Sequence, residues 1–461
     1  MNFRVTRIDV RGGQPLHGLR PGNNERTALS KLQAKAPKVV YSIEIDGVRG
    51  LAVGRLDDLP SELIGHTLIP NAFEAGHVRR SDLAVAEQII AAHPEILARF
   101  QPTAASPIDW AHLPFSLNAS KAMFFATINK GADWSTAVSN PAEHLFPFGP
   151  FPTEPAAVAL HYGPSAFEGL KAYRDQNGNL VGFRWEENAK RLGRSAQRLA
   201  MTPASVEFYL KAISETVRAN EELVPPPGLK AALYIRPLHF GSGAGLGVQP
   251  APQESLMVFV SPVGPYFKAG FKPIDLLVEE KLHRAGDGGT GNVKASGNYV
   301  TGMIASVMAK DAGFAEILWL DAKQNLFVEE VGAANAFFVI GDTLYTPELS
   351  GTILPGITRD STIQLARAMG IKVEETKVPI AMALNAKEAF CTGTAAVLSP
   401  VGSITYQGKK ATFNNGEPGP ITQKLYAALT AIQEDRFNDQ ALLGIDPIQL
   451  ARFRQEWIYR I

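Results

Sequence analysis

The chain has 461 residues, 45 basic against 45 acidic, and is 45% hydrophobic and 20% charged. That length exceeds what one hydrophobic core organises, so two or three domains are expected, and the charge balance excludes the basic footprint of a nucleic-acid or anionic-membrane binder. The single cysteine, Cys391, excludes an internal disulfide and fits a reducing compartment, and no apolar run of about 18 residues is present to span a bilayer.

Residues 1–38 carry Arg4, Arg7, Arg11, Arg20, Arg26, Lys31, Lys35 and Lys38 against only Asp9 and Glu25. They lack the apolar core of a secretory signal, and Phe3, Val5, Ile8 and Val10 read as a strand rather than an amphipathic transit helix. A cytoplasmic protein is therefore expected, with organelle transit as the alternative. Residues 39–45 and 51–56 are apolar, β-branched runs around Asp46-Gly47, a hairpin signal. Ser81 then caps a helix with Leu83, Val85, Ala86, Ile89 and Ile90 on one face and Pro94 near its end. His17, His66, His77 and His93 show no metal-ligand spacing. Residues 1–114 form a small α+β unit to which no function is assigned.

From Phe115 the texture changes to alternating strands, helices and Gly/Pro turns. Tyr173-Arg174 and residues 180–184 read as two strands across Asp175-Gln176-Asn177-Gly178-Asn179. Asn188 opens a helix with Leu192, Ala196, Leu199 and Ala200 on one stripe, and Pro203 ends it. Arg191, Arg194 and Arg198 lie near one face, where spacing alone favours solvation. In the strand Leu233-Tyr234-Ile235-Arg236-Pro237, Tyr234 and Arg236 share a face, and a phenol beside a guanidinium suits a carboxylate. Residues 266–273, with Pro273 and Gly270, suit an interdomain linker between units at 115–265 and 274–461.

In Gly288-Gly289-Thr290-Gly291-Asn292-Val293-Lys294-Ala295-Ser296, glycines let the backbone run close to something bulky. A phosphate loop of the form GxxxxGK[ST] is excluded, because Val293 precedes Lys294 and Ala295 follows it. A flexible surface loop and a Schiff-base lysine both remain. Residues 299–312 then read as a helix closed by Gly313, followed by a strand, turn and strand over 317–330. Glu329 and Glu330, adjacent on a strand, should point to opposite faces. Residues 351–359 run into a helix near Asp360, turning backbone N–H groups toward an anion, and 391–396 form a second small, hydroxyl-rich turn.

Together these stretches resemble the branched-chain amino acid aminotransferases, pyridoxal-phosphate enzymes of fold type IV. The resemblance rests on Phe167-Glu168-Gly169-Leu170-Lys171-Ala172-Tyr173, Phe183-Arg184 through Asn188, Arg191-Leu192 and Arg198-Leu199, Tyr234-Ile235-Arg236-Pro237, residues 289–299, Glu330-Val331-Gly332, Leu354-Pro355-Gly356-Ile357-Thr358-Arg359 and Gly393-Thr394-Ala395. It covers roughly three quarters of the chain, from Phe115 onward. It implies an α/β (α+β) two-domain fold behind the extra N-terminal unit, and a homodimer whose partner completes the site. The expected reaction moves an amino group between L-Leu, L-Ile or L-Val and 2-oxoglutarate.

The resemblance also implies the residue roles. Lys294 would hold the cofactor aldehyde and move the proton, Glu330 would face the ring nitrogen, and Tyr299 would bond the ring hydroxyl. Arg191, Ile357, Thr358 and Thr394 would cradle the phosphate, while Tyr173, Tyr234, Arg236 and Ala395 would line the substrate pocket. Ala333 stands where some relatives have threonine, which removes a hydroxyl. Ala396 and Ser399 stand where the animal mitochondrial form has a Cys-x-x-Cys pair, which excludes thiol regulation of that type. The alternatives are a D-amino acid aminotransferase or aminodeoxychorismate lyase, which share the lysine and glutamate, and a non-catalytic cofactor-binding protein.

Overall fold

The computed structural model describes residues 108–461 apart from 111, 150, 152 and 267–270, and, before them, the backbone of four strands. Those four pair antiparallel in the order Gln14–Pro15, Phe3–Arg11, Val39–Ile45, Val48–Gly54. Ile45 faces Val48 across the last pair, the register of the expected tight hairpin. The turn Asp46-Gly47, the helix expected from Ser81 and the four N-terminal histidines lie outside the described residues.

The first sheet of the main body is antiparallel and runs Leu180–Phe183, Leu170–Arg174, Ala232–Phe240, Gln253–Val263, Ala122–Asn129, Leu145–Pro147. The short strand Ser165–Phe167 also pairs with Ala232–Phe240. Helices Trp185–Arg198 and Val206–Arg218 cover one face, where Leu192, Ala196, Phe208 and Ile213 pack on Leu170, Ala172, Leu233 and Ile235. Because side chains alternate along a strand, burying Leu233 and Ile235 under the helices sends Tyr234 and Arg236 to the opposite face, as expected.

The second sheet closes on itself. Ile274–Glu279, Glu316–Leu320, Phe327–Val331, Ala334–Ile340, Glu388–Gly393 and Val397–Tyr406 pair in turn, and the last pairs again with the first. Each strand of this ring contributes to one interior cluster, including Leu276, Leu318, Val328, Phe338, Cys391 and Val401. The alternate residues Phe337, Val339, Phe390 and Leu398 pack outward on helices Ile357–Ala368, Pro420–Gln433 and Pro447–Trp457. Burial pushes the Cys391 thiol up to about 12, so it stays an inert core group.

The last long strand of the first sheet ends at Val263 and the first strand of the ring starts at Ile274. One segment crosses back: Ile458–Arg460 pairs with Leu180–Phe183, so the chain's last strand extends the first sheet rather than the second. Two helices also begin earlier than the sequence signals place them. The Trp185–Arg198 helix starts three residues before Asn188, with Arg184 left-handed at φ 53 and Glu186 and Glu187 in its first turn. The Ile357–Ala368 helix likewise starts before Asp360. The helix expected over 299–312 is two pieces, Gly297–Val300 and Met303–Asp311. At Gly302, beside the break, a Cβ would come within 2.9 Å of Trp319.

Candidate active site

Lys294 sits where the two sheets meet, and its backbone is tied to the first. Its N–H donates to Ser195 Oγ at 3.0 Å, and its carbonyl accepts from the Phe167 N–H at 3.1 Å. Ala295 bridges to Ala166, and the Ser296 N–H donates to the Ser165 carbonyl at 2.9 Å. The glycine loop before it is tightly placed: at Gly291 a Cβ would lie 2.3 Å from the Thr352 carbonyl oxygen. The buried Asn298 amide fastens the loop from the other side, donating to the carbonyls of Thr290 and Val293 at 2.7 and 2.9 Å.

The Lys294 amine donates to the Tyr299 hydroxyl at 2.7 Å. It lies 4.8 Å from the centre of the Phe167 ring, which also meets the Tyr299 ring at 4.9 Å and the Arg236 guanidinium at 4.7 Å. Arg236 donates to the Tyr234 hydroxyl at 3.0 Å, and its buried Nε has no hydrogen-bond partner. A buried donor without a partner costs on the order of 1–3 kcal/mol, so this face is built to receive an acceptor.

Two buried carboxylates stand near the amine. Glu168 pairs with Arg191, Nε to Oε1 at 2.6 Å and Nη2 to Oε2 at 2.9 Å, and accepts from Asn188 at 2.8 Å. Burial pushes the Glu168 carboxyl up, but Arg191, with Lys294 and Asn188 adding to it, holds it below the usual carboxylate range. Glu330 pairs with Arg284 at 2.6 Å and accepts from Asn335 at 3.0 Å. Here burial wins over the pull of Arg284, and Glu330 is pushed up to about 7. Glu329 is held instead by the Thr352 hydroxyl. The two glutamates separate at a β-bulge, where Val328 and Val331 pair with Leu320 and Leu318, three steps against two.

Arg191 also donates to the Pro355 carbonyl at 2.9 Å, which brings its guanidinium to the start of the Ile357–Ala368 helix. That helix has Gly356 at its N-cap and no side-chain cap, and a Cβ on Gly356 would come within 2.0 Å of Asn335 Oδ1. Uncapped N–H groups of Ile357 and Thr358 beside an arginine are an anion-binding arrangement. Thr394 lies half-buried in the turn after Glu388–Gly393. The next carbonyl, of Ala395, accepts from Lys171 at 3.1 Å, an ammonium that burial lowers to about 8.

Of the residues expected from sequence, Lys294 and Tyr299 meet directly, as do Tyr234 and Arg236. Tyr173 is not brought to this cluster. Its hydroxyl donates to Gln433 at 3.3 Å, and with Lys171 and Ala395 it lines a cavity of about 780 Å³; Leu170 and Ala172 take the other face of the same strand. Arg194 and Arg198 are both exposed, as spacing suggested, and Arg198 in addition donates to the carbonyls of Gly288 and Gly289 at 3.1 Å each. Phe167, Glu168, Ser195, Arg284 and Asn335 hold the site without having been singled out. For Phe167 and Glu168 the Phe-Glu-Gly stretch was the available signal.

The Glu168–Arg191 pair yields a stability prediction. Glu168→Ala leaves a buried guanidinium without its carboxylate and should destabilise the protein by about 3–5 kcal/mol. Chemical denaturation of cofactor-free protein measures it, and a loss under about 1 kcal/mol would mean that Arg191 finds another partner.

The family model described as amino-transferase class IV matches residues 165–404. The branched-chain-amino-acid aminotransferase 5, chloroplastic, of Arabidopsis thaliana is 45% identical over 340 residues, 73% of this chain and 80% of that protein. The branched-chain-amino-acid aminotransferase of Mycolicibacterium smegmatis is 42% identical over 305 residues, 64% of this chain and 83% of that one. Among solved structures, the Thermobaculum terrenum branched-chain amino acid aminotransferase in its PLP form superposes with a TM-score of 0.59 at 25% identity, covering 74% of this chain and 98% of that chain. The Escherichia coli enzyme gives 0.56 at 28%, covering 71% and 98%. The chain thus belongs to the class IV aminotransferases, with the fold type IV architecture and a dependence on pyridoxal 5'-phosphate. Within that class it is a branched-chain-amino-acid transaminase.

The donor set fits that cofactor. An uncapped helix N-terminus and an arginine suit a phosphate, a buried carboxylate suits a protonated ring nitrogen, and an amine bonded to a phenol stands with them.

Proposed function

We propose that Lys294 is the reacting amine and that the surrounding residues act as follows. Arg191, the N–H groups of Ile357 and Thr358, and the Thr394 hydroxyl hold the cofactor phosphate. Glu330 faces the ring nitrogen and keeps it protonated, and Tyr299 bonds the ring hydroxyl. Bound pyridoxal 5'-phosphate supplies an aldehyde that takes up the amino group and a ring that accepts the electron pair released at the substrate Cα. Lys294 Nζ takes the proton from Cα and delivers it for the transfer, while the Tyr299 hydroxyl at 2.7 Å orients the amine. The Phe167 ring covers the amine against water. Tyr234 and Arg236 receive the side-chain carboxylate of glutamate, satisfying the buried Arg236 Nε, and Ala395 borders the aliphatic part of the pocket. Tyr173 lines the same cavity as Ala395.

The observation that carries this is the Lys294–Tyr299 contact beside two buried carboxylates whose ionisation Lys294 favours. The test is the visible absorbance of cofactor-loaded protein before and after L-leucine, L-glutamate and D-alanine. The cofactor band should bleach with L-leucine and L-glutamate and return with 2-oxoglutarate. A response to D-alanine alone would transfer the chain to the D-amino acid reading.

A homodimer is part of the proposal. Val300, Met303, Ile304, Val307 and Met308 form one apolar stripe at helical spacing, each more than half exposed, just after Lys294 and Tyr299. A second copy covering it would brace the site, and sedimentation as a monomer would remove this part. For location, no helix among the described residues is long and apolar enough to cross a membrane. Several relatives are named chloroplastic or mitochondrial. The cytoplasm expected from sequence and an organelle are separated by a fluorescent fusion of the full chain, and finding it inside an organelle would overturn the cytoplasmic reading.

A further inference from the structure

One polar stripe of the Trp185–Arg198 helix touches the phosphate-cradling helix, Glu168, the Lys294 backbone and the glycine loop. Counting from its N-cap, Arg184, Asn188, Arg191, Ser195 and Arg198 recur at spacings of four and three, one face of the helix. Arg184 donates to Asp360 at 2.6 Å and Ser361 at 2.8 Å on the phosphate-cradling helix. Asn188 and Arg191 hold Glu168, Ser195 accepts the Lys294 N–H, and Arg198 reaches the carbonyls of Gly288 and Gly289. Helix spacing therefore fixes the distance between the phosphate end and the lysine end.

The last contact has no role in the chemistry described above. Gly286, Gly288, Gly289 and Gly291 make the loop conformationally free in isolation, so ordering it costs backbone entropy. Gly288 adopts φ +74, and turns from the Gly289 N–H to the Gly286 carbonyl and from the Val293 N–H to the Thr290 carbonyl close the loop on itself; Asn298 and Arg284 hold its later half at Thr290, Gly291 and Val293, which leaves Gly288 and Gly289 to Arg198. A guanidinium donating to two successive carbonyls fixes the direction in which the chain enters Val293-Lys294.

We propose that Arg198 is a positioning residue for Lys294, tethering the glycine loop to the same helix from which Ser195 holds the Lys294 backbone. This rests on Lys294 being the reacting amine. The Arg198 side chain is exposed at the surface, so its replacement leaves no buried hole.

The experiment compares wild type, Arg198→Ala and Arg198→Lys as cofactor-loaded enzymes. In Arg198→Ala, kcat with L-leucine should fall roughly ten- to a hundredfold, since a small misplacement of a reacting group costs up to about a hundredfold. KM and cofactor retention should stay within about twofold. A lysine ammonium can also donate to both carbonyls, so Arg198→Lys should recover most of the loss. Amide hydrogen exchange in cofactor-free protein should quicken over residues 286–293 in Arg198→Ala and nowhere else.

Unchanged kcat and unchanged exchange in Arg198→Ala would overturn the proposal. So would an equal loss in both variants accompanied by a lower melting temperature, which marks a general packing role. Wild-type protein unable to exchange the amino group of L-leucine would overturn the assignment of Lys294, and this role with it. The exchange measurement would still show separately whether the tether exists.

Discussion

Lys294→Ala is expected to lower turnover of L-leucine with 2-oxoglutarate by at least about ten-thousandfold. The loss combines the covalent attachment and the proton transfer, the latter alone contributing roughly a hundred- to ten-thousandfold. The backbone that positions residue 294 is held by Ser195 and Phe167 through main-chain atoms, so the variant keeps its loop. Removing the amine also frees the Tyr299 hydroxyl from its 2.7 Å contact without stranding a buried charge. The folded state should therefore survive, and the loss should be chemical. A second readout is independent of turnover: borohydride reduction of the loaded wild type should leave the cofactor on the peptide that contains Lys294, and the variant should release it on denaturation. A variant retaining even a tenth of wild-type activity would sink the assignment.

How far this site could be read from the sequence depends on how local each contact is. The face of Tyr234 and Arg236 follows from alternation, because Leu233 and Ile235 are buried beneath helices. The anion-binding start of the Ile357–Ala368 helix follows from Pro355-Gly356 and the hydroxyl residues after it. Arg198 shows the limit. Its spacing is that of a surface arginine, and its function lies in two carbonyls about ninety residues away, which helical periodicity does not encode. Arg284 is similar: its partner Glu330 is defined by a bulge in another strand, and nothing near Leu282 or His283 announces it. Tyr173 is the converse case, a residue in the right motif whose side chain the strand's alternation sends to Gln433 instead. Closure of the second sheet was hidden for the same reason, since Phe327–Val331 must pair with both Glu316–Leu320 and Ala334–Ile340 while Val397–Tyr406 returns to Ile274–Glu279.

Glu330→Gln should reduce kcat about a hundred- to a thousandfold, the scale of losing one preorganised charge aimed at a reacting centre, and it should also change how cofactor-free protein responds to pH. In the folded chain burial raises the Glu330 carboxyl from the usual 4.5 to about 7, against the pull of Arg284. An acid raised on folding contributes stability that is fully present below its unfolded value, and that contribution is lost as pH rises through the folded value. Between about pH 4.5 and 7 the wild-type apoprotein should therefore lose stability relative to Glu330→Gln, whose amide does not titrate. A cationic ring nitrogen facing the carboxylate lowers its pKa, so loading the cofactor should flatten the difference. Melting temperatures of both proteins, with and without cofactor, across that range measure it. Parallel pH profiles in the apoproteins would show that Glu330 is already ionised by Arg284. A difference that persists unchanged after loading would show that the carboxylate does not face the ring nitrogen, and the role of Glu330 would then be to hold Arg284 and, through its contact with the Gly291 carbonyl, the glycine loop.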